Sequence, residues 1–353
     1  VGREASQASA REESAQGLLC CAVAASCGLA VAATVAGTVR VLNKLQACID
    51  AGNYYEAHQM YRTIYFRYRG QKRYSELKEL LYDGAIKLLS LEQCNSGADL
   101  ANLLVDVLIQ SETEPCDQQI ERLGQLHALL TPHSPERAAF LSRALQWSSG
   151  REQPARGHPQ LHRLVALTLW KEKNYPEARH HFVHSTDGDG CAAMLVEFQT
   201  AKGYSSEIDL FIAQTVFQYL CLRNPSTASV VFLAYTRRHP SVHPGPPYYL
   251  PLLNFLWFLL IAVETRKLAV FTVLCEQYQP TISRDPSYPQ YLDKIGQLFF
   301  GLPPPPKPQG MFGNLIQTLL GGLEDDDQST SSSQANVASA SSAHAEVQPE
   351  ELD

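Results

Sequence analysis

Asn53-Tyr54-Tyr55-Glu56-Ala57-His58-Gln59-Met60-Tyr61 returns as Asn174-Tyr175-Pro176-Glu177-Ala178-Arg179-His180-His181-Phe182, and more faintly as Arg73-Tyr74-Ser75-Glu76-Leu77. Each copy sets an aromatic residue just after a polar turn residue. A small or apolar residue follows three positions on. That spacing opens a helix: the aromatic packs on the preceding helix, and the small side chain lets two backbones approach. Pro176 fits because the first helical turn has no intrahelical acceptor for the N–H that proline lacks. Beyond the first copy, Tyr54, Ala57, Tyr61, Ile64, Tyr65 and Tyr68 recur on one face, while Glu56, Gln59 and Arg62 lie off it. The segment reads as an amphipathic helix with an aromatic stripe.

The same period continues outward from Arg40 to about Phe300, and no stretch shows the two-residue alternation of a strand. Ser134-Pro135-Glu136, Asn224-Pro225 and Asp285-Pro286 each pair a capping side chain with proline at the first helical position. Between such marks the pattern predicts fourteen helices, near 40–51, 54–69, 74–90, 96–111, 117–130, 135–148, 159–173, 175–184, 190–202, 206–222, 225–239, 250–264, 267–278 and 287–300. Short connections join them into antiparallel hairpins, none of which buries both faces alone. The fold class expected is therefore all-α: a right-handed α-solenoid of about seven TPR-like helical hairpins over residues 40–301, stacked around a continuous core.

The net charge of -7 is local. Eight of the 36 acidic residues follow Lys307, leaving 28 against 29 Lys and Arg in the chain as a whole, so the body is near neutral and bulk charge points to no nucleic acid. The nine cysteines are scattered and form no C-x-x-C pair, the pattern of reduced, packed thiols in a cytosolic protein. Residues 1–39 are anomalous. From Gly17 to Val39 there are 23 residues without a charge, long enough to span a bilayer yet mostly Ala, Gly, Ser, Thr and Cys, weak drivers of insertion. Because the chain also opens with Val1, this run is expected to be a leader outside the fold, with no direct membrane insertion. A membrane-anchored helical receptor using residues 17–39 is the competing reading.

Catalytic motifs are missing from the sequence: it holds no G-x-S-x-G, no P-loop and no His-Glu-x-x-His. Gly188-Asp189-Gly190-Cys191 follows a helix and reads as a hairpin connection. His180 and His184 stand one helical turn apart beside His181, but spacing supplies no third ligand, so no metal, cofactor or catalytic residue is expected. Arg62, Arg67, Arg69, Lys72, Arg73 and Lys78 are interleaved with Tyr61, Tyr65, Tyr68 and Tyr74. Such a mixture suits an acidic protein surface or single-stranded RNA, and an RNA-binding helical repeat is a third reading of the chain. Leu250 to Val263 is nearly all apolar but too short to cross a membrane, and reads as an enclosed central helix or as one whose side meets a partner protein.

After Phe300 the texture changes. Residues 302–323 hold the Pro303 to Pro306 run and a short apolar pattern, Phe312, Leu315, Ile316, Leu319 and Leu320, expected to be a linker and a terminal helix. Residues 324–353 are acidic, Ser-rich and free of aromatics, the composition of a disordered tail.

Several strings resemble one family, Golgi-to-ER traffic protein four. They are Tyr54-Tyr55-Glu56-Ala57-His58-Gln59-Met60-Tyr61-Arg62-Thr63, Ser134-Pro135-Glu136-Arg137, Ala166-Leu167-Thr168-Leu169-Trp170-Lys171-Glu172 and Ala228-Ser229-Val230-Val231-Phe232. Val270-Phe271-Thr272-Val273-Leu274-Cys275-Glu276-Gln277-Tyr278-Gln279-Pro280 and Ile295-Gly296-Gln297-Leu298-Phe299-Phe300-Gly301 join them, and the likeness returns at the final Glu351-Leu352-Asp353. The apolar leader and the stretch from Leu100 to Leu126 match less well. The resemblance implies a non-enzymatic cytosolic adaptor in the targeting of tail-anchored membrane proteins to the endoplasmic reticulum. Its implied partners are a targeting ATPase, a BAG-family scaffold with a ubiquitin-like domain, which it helps keep in the cytosol, and a small ubiquitin-like adaptor fed with clients by a co-chaperone. The half at 40–150 is expected to dock the ATPase, with Tyr55, His58, Arg62, Arg67, Lys72 and Arg73 as candidates. The half at 158–301 is expected to bind the scaffold, with Trp257, Phe258, Phe271 and Tyr278 as candidate anchors.

Overall fold

One three-residue turn, used again and again, sets the architecture. At Gly52, Lys72, Glu92, Glu112, Lys173 and Arg223 the chain leaves a helix in the left-handed region, with φ between 47° and 76°. In each case the next residue donates its N–H back to a carbonyl five positions earlier: Asn53 to Cys48 (2.9 Å), Arg73 to Tyr68 (3.0 Å), Gln93 to Leu88 (2.9 Å), Thr113 to Leu108 (3.2 Å), Asn174 to Leu169 (2.9 Å) and Asn224 to Tyr219 (2.9 Å). This closure satisfies the orphan carbonyls of the ending helix and reverses the chain at once, which makes sequential helices antiparallel neighbours.

The computed structural model describes residues 40–150, 156–243 and 245–303. Among these are fifteen α-helices: α1 (40–50), α2 (Tyr54–Gly70), α3 (Tyr74–Ser90), α4 (Cys94–Gln110), α5 (Asp117–Leu129), α6 (Pro135–Ser148), α7 (Pro159–Lys171), α8 (Tyr175–Val183), α9 (Gly188–Lys202), α10 (Ile208–Cys221), α11 (Pro225–Arg238), α12 (Pro251–Thr265), α13 (Leu268–Gln277), α14 (Gln279–Ile282) and α15 (Tyr288–Phe300). A 3-10 turn, Ser205–Glu207, precedes α10, and the described residues contain no strand. The all-α solenoid expected from periodicity is what the chain adopts. The one-turn α14 is the only helix in the described residues that periodicity did not predict. The leader at 1–39, the short terminal helix and the acidic tail lie outside the described residues.

Helices pack on their sequence neighbours and on the next helix but one: α3 on α4, α4 on α6, α5 on α7, α7 on α8, α9 on α11 and α10 on α12. One cluster of buried apolar side chains accordingly runs without interruption from Leu45 to Ile295. The stripe of α2 is buried as the spacing requires: Ala57, Tyr61, Ile64, Tyr65 and Tyr68 all face the core. Close approach is bought by small residues: a Cβ on Gly84 of α3 would stand 2.6 Å from the Tyr61 ring.

Four local details depart from the sequence reading. Ser134 and Asn224 cap α6 and α11 through Arg137 N–H (3.2 Å) and Thr227 N–H (3.3 Å), as expected. Asp285 instead accepts from Ser287 N–H (2.8 Å) and shapes the turn, so α15 starts later, at Tyr288. Gly188 and Gly190 are the first turn of α9 rather than a connection, because Asp187 Oδ1 accepts from Gly190 N–H (2.8 Å) and begins the helix early. Tyr175 packs on the following helix: its ring stacks on Phe198 of α9 at 4.8 Å. Finally, the stack does not end in simple sequence order. α15 returns to α10, where Phe217 meets Tyr288 (ring centroids 5.0 Å) and Tyr291 (6.0 Å).

Candidate functional site

Two unlike surfaces stand out, one at each end of the described stack. On α2 the residues opposite the buried stripe point outward: Tyr55 is 75% exposed, and Phe66, Arg67 and Arg69 are exposed with it. Lys72 follows in the left-handed turn, and Phe66, Arg69, Gly70, Lys72, Tyr74 and Gln110 line a concavity of about 600 Å³. Arg62 is half-exposed and reaches Asp99 at 3.7 Å. The structure does not bring His58 and Arg73 to this surface as free groups. His58 lies beside Ala57 on the inner arc, buried, with Nε2 2.7 Å from Asp99 Oδ2. Arg73, at the N-cap position of α3, donates to both Glu76 oxygens, and its guanidinium lies 4.2 Å over the Tyr68 ring. The hydrogen bonds from Arg73 hold the Glu76 carboxyl below its ordinary value.

The same geometry undercuts RNA binding. Tyr61, Tyr65 and Tyr68 are core residues, so they offer no faces for bases to stack on, and burial pushes the Tyr61 hydroxyl up to about 12.

At the other end, α12 is not fully enclosed as its composition suggested. Leu252, Leu253, Phe255, Leu256, Leu259 and Val263 are buried, but Phe258 and Ile261 are each 40% exposed. Leu268, Val270 and Val273 of α13 extend this apolar strip. Phe258, Ala269, Val270, Val273, Leu274, Gln277 and Tyr278 line an apolar groove of about 490 Å³. Of the predicted anchors, Phe258 and Tyr278 line the groove, and Trp257 is half-buried with its ring 4.7 Å from Phe258. Phe271 does not reach it. Its ring is buried and stacked on Phe300 at 4.5 Å, where it secures α15 to α13. Sequence reasoning passed over Val270 and Val273, whose signal was their position three apart on a helix already rich in apolar residues.

Elsewhere the polar interior is spent on structure. Arg137 donates two hydrogen bonds to Glu172 (2.8 and 3.1 Å) and one through Nε to His127 (3.2 Å). Cys191 is wholly buried, and its thiol is pushed up to about 12, which leaves it without nucleophilic character. Among the described residues no group of three or more His, Cys, Asp or Glu is placed to hold a metal ion. His180 and His184 do lie one turn apart, but the third imidazole is His162 of α7, stacked flat on His184 (centroids 5.1 Å, 24°) rather than converging on a common point.

The sequence model described as "Golgi to ER traffic protein 4" matches residues 71–320. The chain belongs to this family. Curated relatives agree: the Golgi to ER traffic protein 4 homolog of Oryzias latipes is 57% identical over 293 residues, covering 82% of this chain and 90% of its own. The Homo sapiens homolog is 55% identical, covering 82% and 89%. The crystal structure of C. therm. Get4 superposes with a TM-score of 0.70 at 26% identity, covering 82% of this chain and 99% of that one. The family match runs past Gly301, where the main run of the resemblance ended, and takes in the apolar pattern from Phe312 to Leu320 before ending short of the acidic tail and of Glu351-Leu352-Asp353. Membership of this family gives the chain a role in Golgi-to-ER traffic.

Proposed function

We propose that this chain is a non-enzymatic cytosolic adaptor that bridges two partners in the delivery of tail-anchored membrane proteins to the endoplasmic reticulum. The observation that carries this reading is the pairing of dissimilar surfaces on one scaffold: a basic, aromatic face on α2 and α3, and an apolar groove on α12 and α13. Arg and Tyr beside a concavity suit an acidic protein partner, and we assign to this face the targeting ATPase, docked through Tyr55, Arg62, Arg67 and Lys72. The apolar groove suits a partner that arrives as an extended or helical apolar segment, and we assign to it the BAG-family scaffold, held by Phe258, Tyr278 and the neighbouring Trp257. The small ubiquitin-like adaptor, its co-chaperone and the clients then join through the scaffold. Among the described residues no helix is long and apolar enough to cross a membrane.

Co-purification tests this directly. Full-length chain immobilised in cytosol is expected to retain both the ATPase and the scaffold, identified by mass spectrometry. A folded, monodisperse chain that retains neither is incompatible with the proposal.

A further inference from the structure

Six histidines gather where the two halves of the stack meet. His127 comes from α5, His158 and His162 from the start of α7, and His180, His181 and His184 from α8 and its C-terminal cap. Their tautomers follow from their partners. A carbonyl oxygen only accepts, so His162 donates through Nε2 to the Arg156 carbonyl (2.7 Å), and its bare Nδ1 accepts from Nδ1–H of His181 (2.8 Å). His184 donates through Nδ1 to the His180 carbonyl (2.9 Å). Burial holds His162 and His181 neutral, pushed down to about 4 and about 2. One added proton is tolerated on Nε2 of His181, because the Nδ1–H of His181 still donates to Nδ1 of His162. A second leaves two N–H donors and two like charges opposed at hydrogen-bond distance.

The charged groups around the cluster do little to offset that charge. On α6 Arg137 binds Glu172, which follows α7, and burial, then the Arg137 guanidinium, lowers His127. On α7 Arg163 pairs with Asp187, the cap of α9. On α8 Arg179 lowers His180 and Glu177 raises it, burial being the largest influence. From α10 come the neutral groups Gln214, bound to Arg179, and Tyr219, bound to the Phe182 carbonyl.

What the His162 ring holds is the return of the chain into the second half. Gly157 donates to Ser149 Oγ (2.7 Å) and His158 to Ser148 Oγ (2.9 Å), tying this return to the end of α6. Gly157 sits at φ +81° with its Cβ position 2.7 Å from His162 Nε2, so backbone and ring are in direct contact. We propose that the His162–His181 pair and its neighbours form a proton-operated joint: double protonation releases residues 156–158 and loosens the α7–α8 hairpin before the rest of the stack opens, uncoupling the two halves. The joint operates whichever partners those halves hold.

Hydrogen exchange on the full chain, corrected for intrinsic rates, compares about pH 7.5 with about pH 5. Protection across 156–184 is expected to fall by roughly tenfold or more at the lower pH, while α2–α4 change by less than about threefold. His162→Gln, whose carboxamide still donates to the Arg156 carbonyl and accepts from His181, is expected to abolish most of that fall. A uniform loss along the chain, no loss, or the same loss in the variant overturns the joint. Should the variant prove unfolded by circular dichroism, imidazole resonances of the wild-type chain decide. Midpoints well below about 6.5 that coincide with loss of α7–α8 protection support the joint, and ordinary midpoints with protection intact refute it.

Discussion

Asp209, wholly buried on α10, is bound at 2.5 Å by Arg284, which comes from the turn 75 residues later that leads into α15. Arg284 also donates to the Ser206 carbonyl (3.0 Å), so one guanidinium pins the returning end of the chain to the start of α10. Removing it leaves a carboxylate in the core whose other oxygen already has no partner among the described residues. Breaking a buried pair costs about 3–5 kcal/mol, and the one-third exposure of Arg284 discounts this case to the bottom of that range or below it. Arg284→Ala is expected to lower the stability measured by urea unfolding by roughly 2–3 kcal/mol, with the largest gain in hydrogen exchange on α15. An unchanged midpoint would mean that the edge-to-face contact of Tyr288 and the stacking of Tyr291 on Phe217 hold α15 alone.

Stability is expected to decline in mild acid, and the sign follows from the buried histidines. Burial lowers His127, His162 and His181 to about 3, 4 and 2. The unfolded chain takes up protons below about 6.5 while the folded chain resists until its own lower values, so stability is full above about 6.5 and is lost as pH falls. For His162 alone, the roughly two-and-a-half-unit gap corresponds to about 3 kcal/mol lost by pH 4. Melting temperature measured from pH 7.5 downward should fall through this window. A flat profile between about pH 6.5 and 4.5 contradicts it.

The repeated turn makes a third, opposite prediction. Glu92 is exposed and sits at φ 60°, where a side chain is strained and glycine is not. Glu92→Gly is expected to raise stability by about 0.5–1 kcal/mol, although it deletes a side chain. Gly52 is the matched control: at φ 76° with nothing near its Cβ position, Gly52→Ala should cost about 1 kcal/mol through backbone strain alone. Thermal unfolding of the two variants checks both signs.

These turns also show how far the sequence could be read. Helix periodicity was legible because each apolar stripe lies within one element, as with Tyr61, Ile64, Tyr65 and Tyr68. The turn itself was hidden, since only its first copy carries glycine while the others place Lys72, Glu92, Glu112, Lys173 or Arg223 in the same geometry. The burial of His58 and Phe271, a docking candidate and a candidate anchor, is hidden for a related reason. A stacked helix buries an arc wider than its stripe, and their partners, Asp99 and Phe300, lie on other helices. The return of α15 to α10 was equally invisible, because no local pattern encodes a contact across some seventy residues.

Close packing between α2 and its neighbours predicts intolerance to volume. Ala57 has no exposed surface, and the Tyr61 ring already fills the space where a Gly84 side chain would stand. Ala57→Trp is expected to cost about 3 kcal/mol or more, and Gly84→Ala about 1–3 kcal/mol. Melting curves that match the unmodified chain would show that α2 and α3 separate more readily than their packing indicates.

The two surfaces are expected to fail independently. Val273 is 55% exposed beside the apolar groove, so Val273→Asp should leave stability within about 0.5 kcal/mol while placing a charge where a partner must desolvate the site. Scaffold binding should weaken by about tenfold or more, with ATPase binding unchanged. Arg67→Glu on the opposite end is expected to do the reverse, and its effect should shrink as salt rises, because an exposed charge is screened whereas an apolar contact is not. Titration of each variant against each purified partner, at low and at physiological ionic strength, separates the cases. Loss of both partners on either substitution would mean that the ends are coupled through the stack, and only then would the α7–α8 region between them become the first place to look for the coupling.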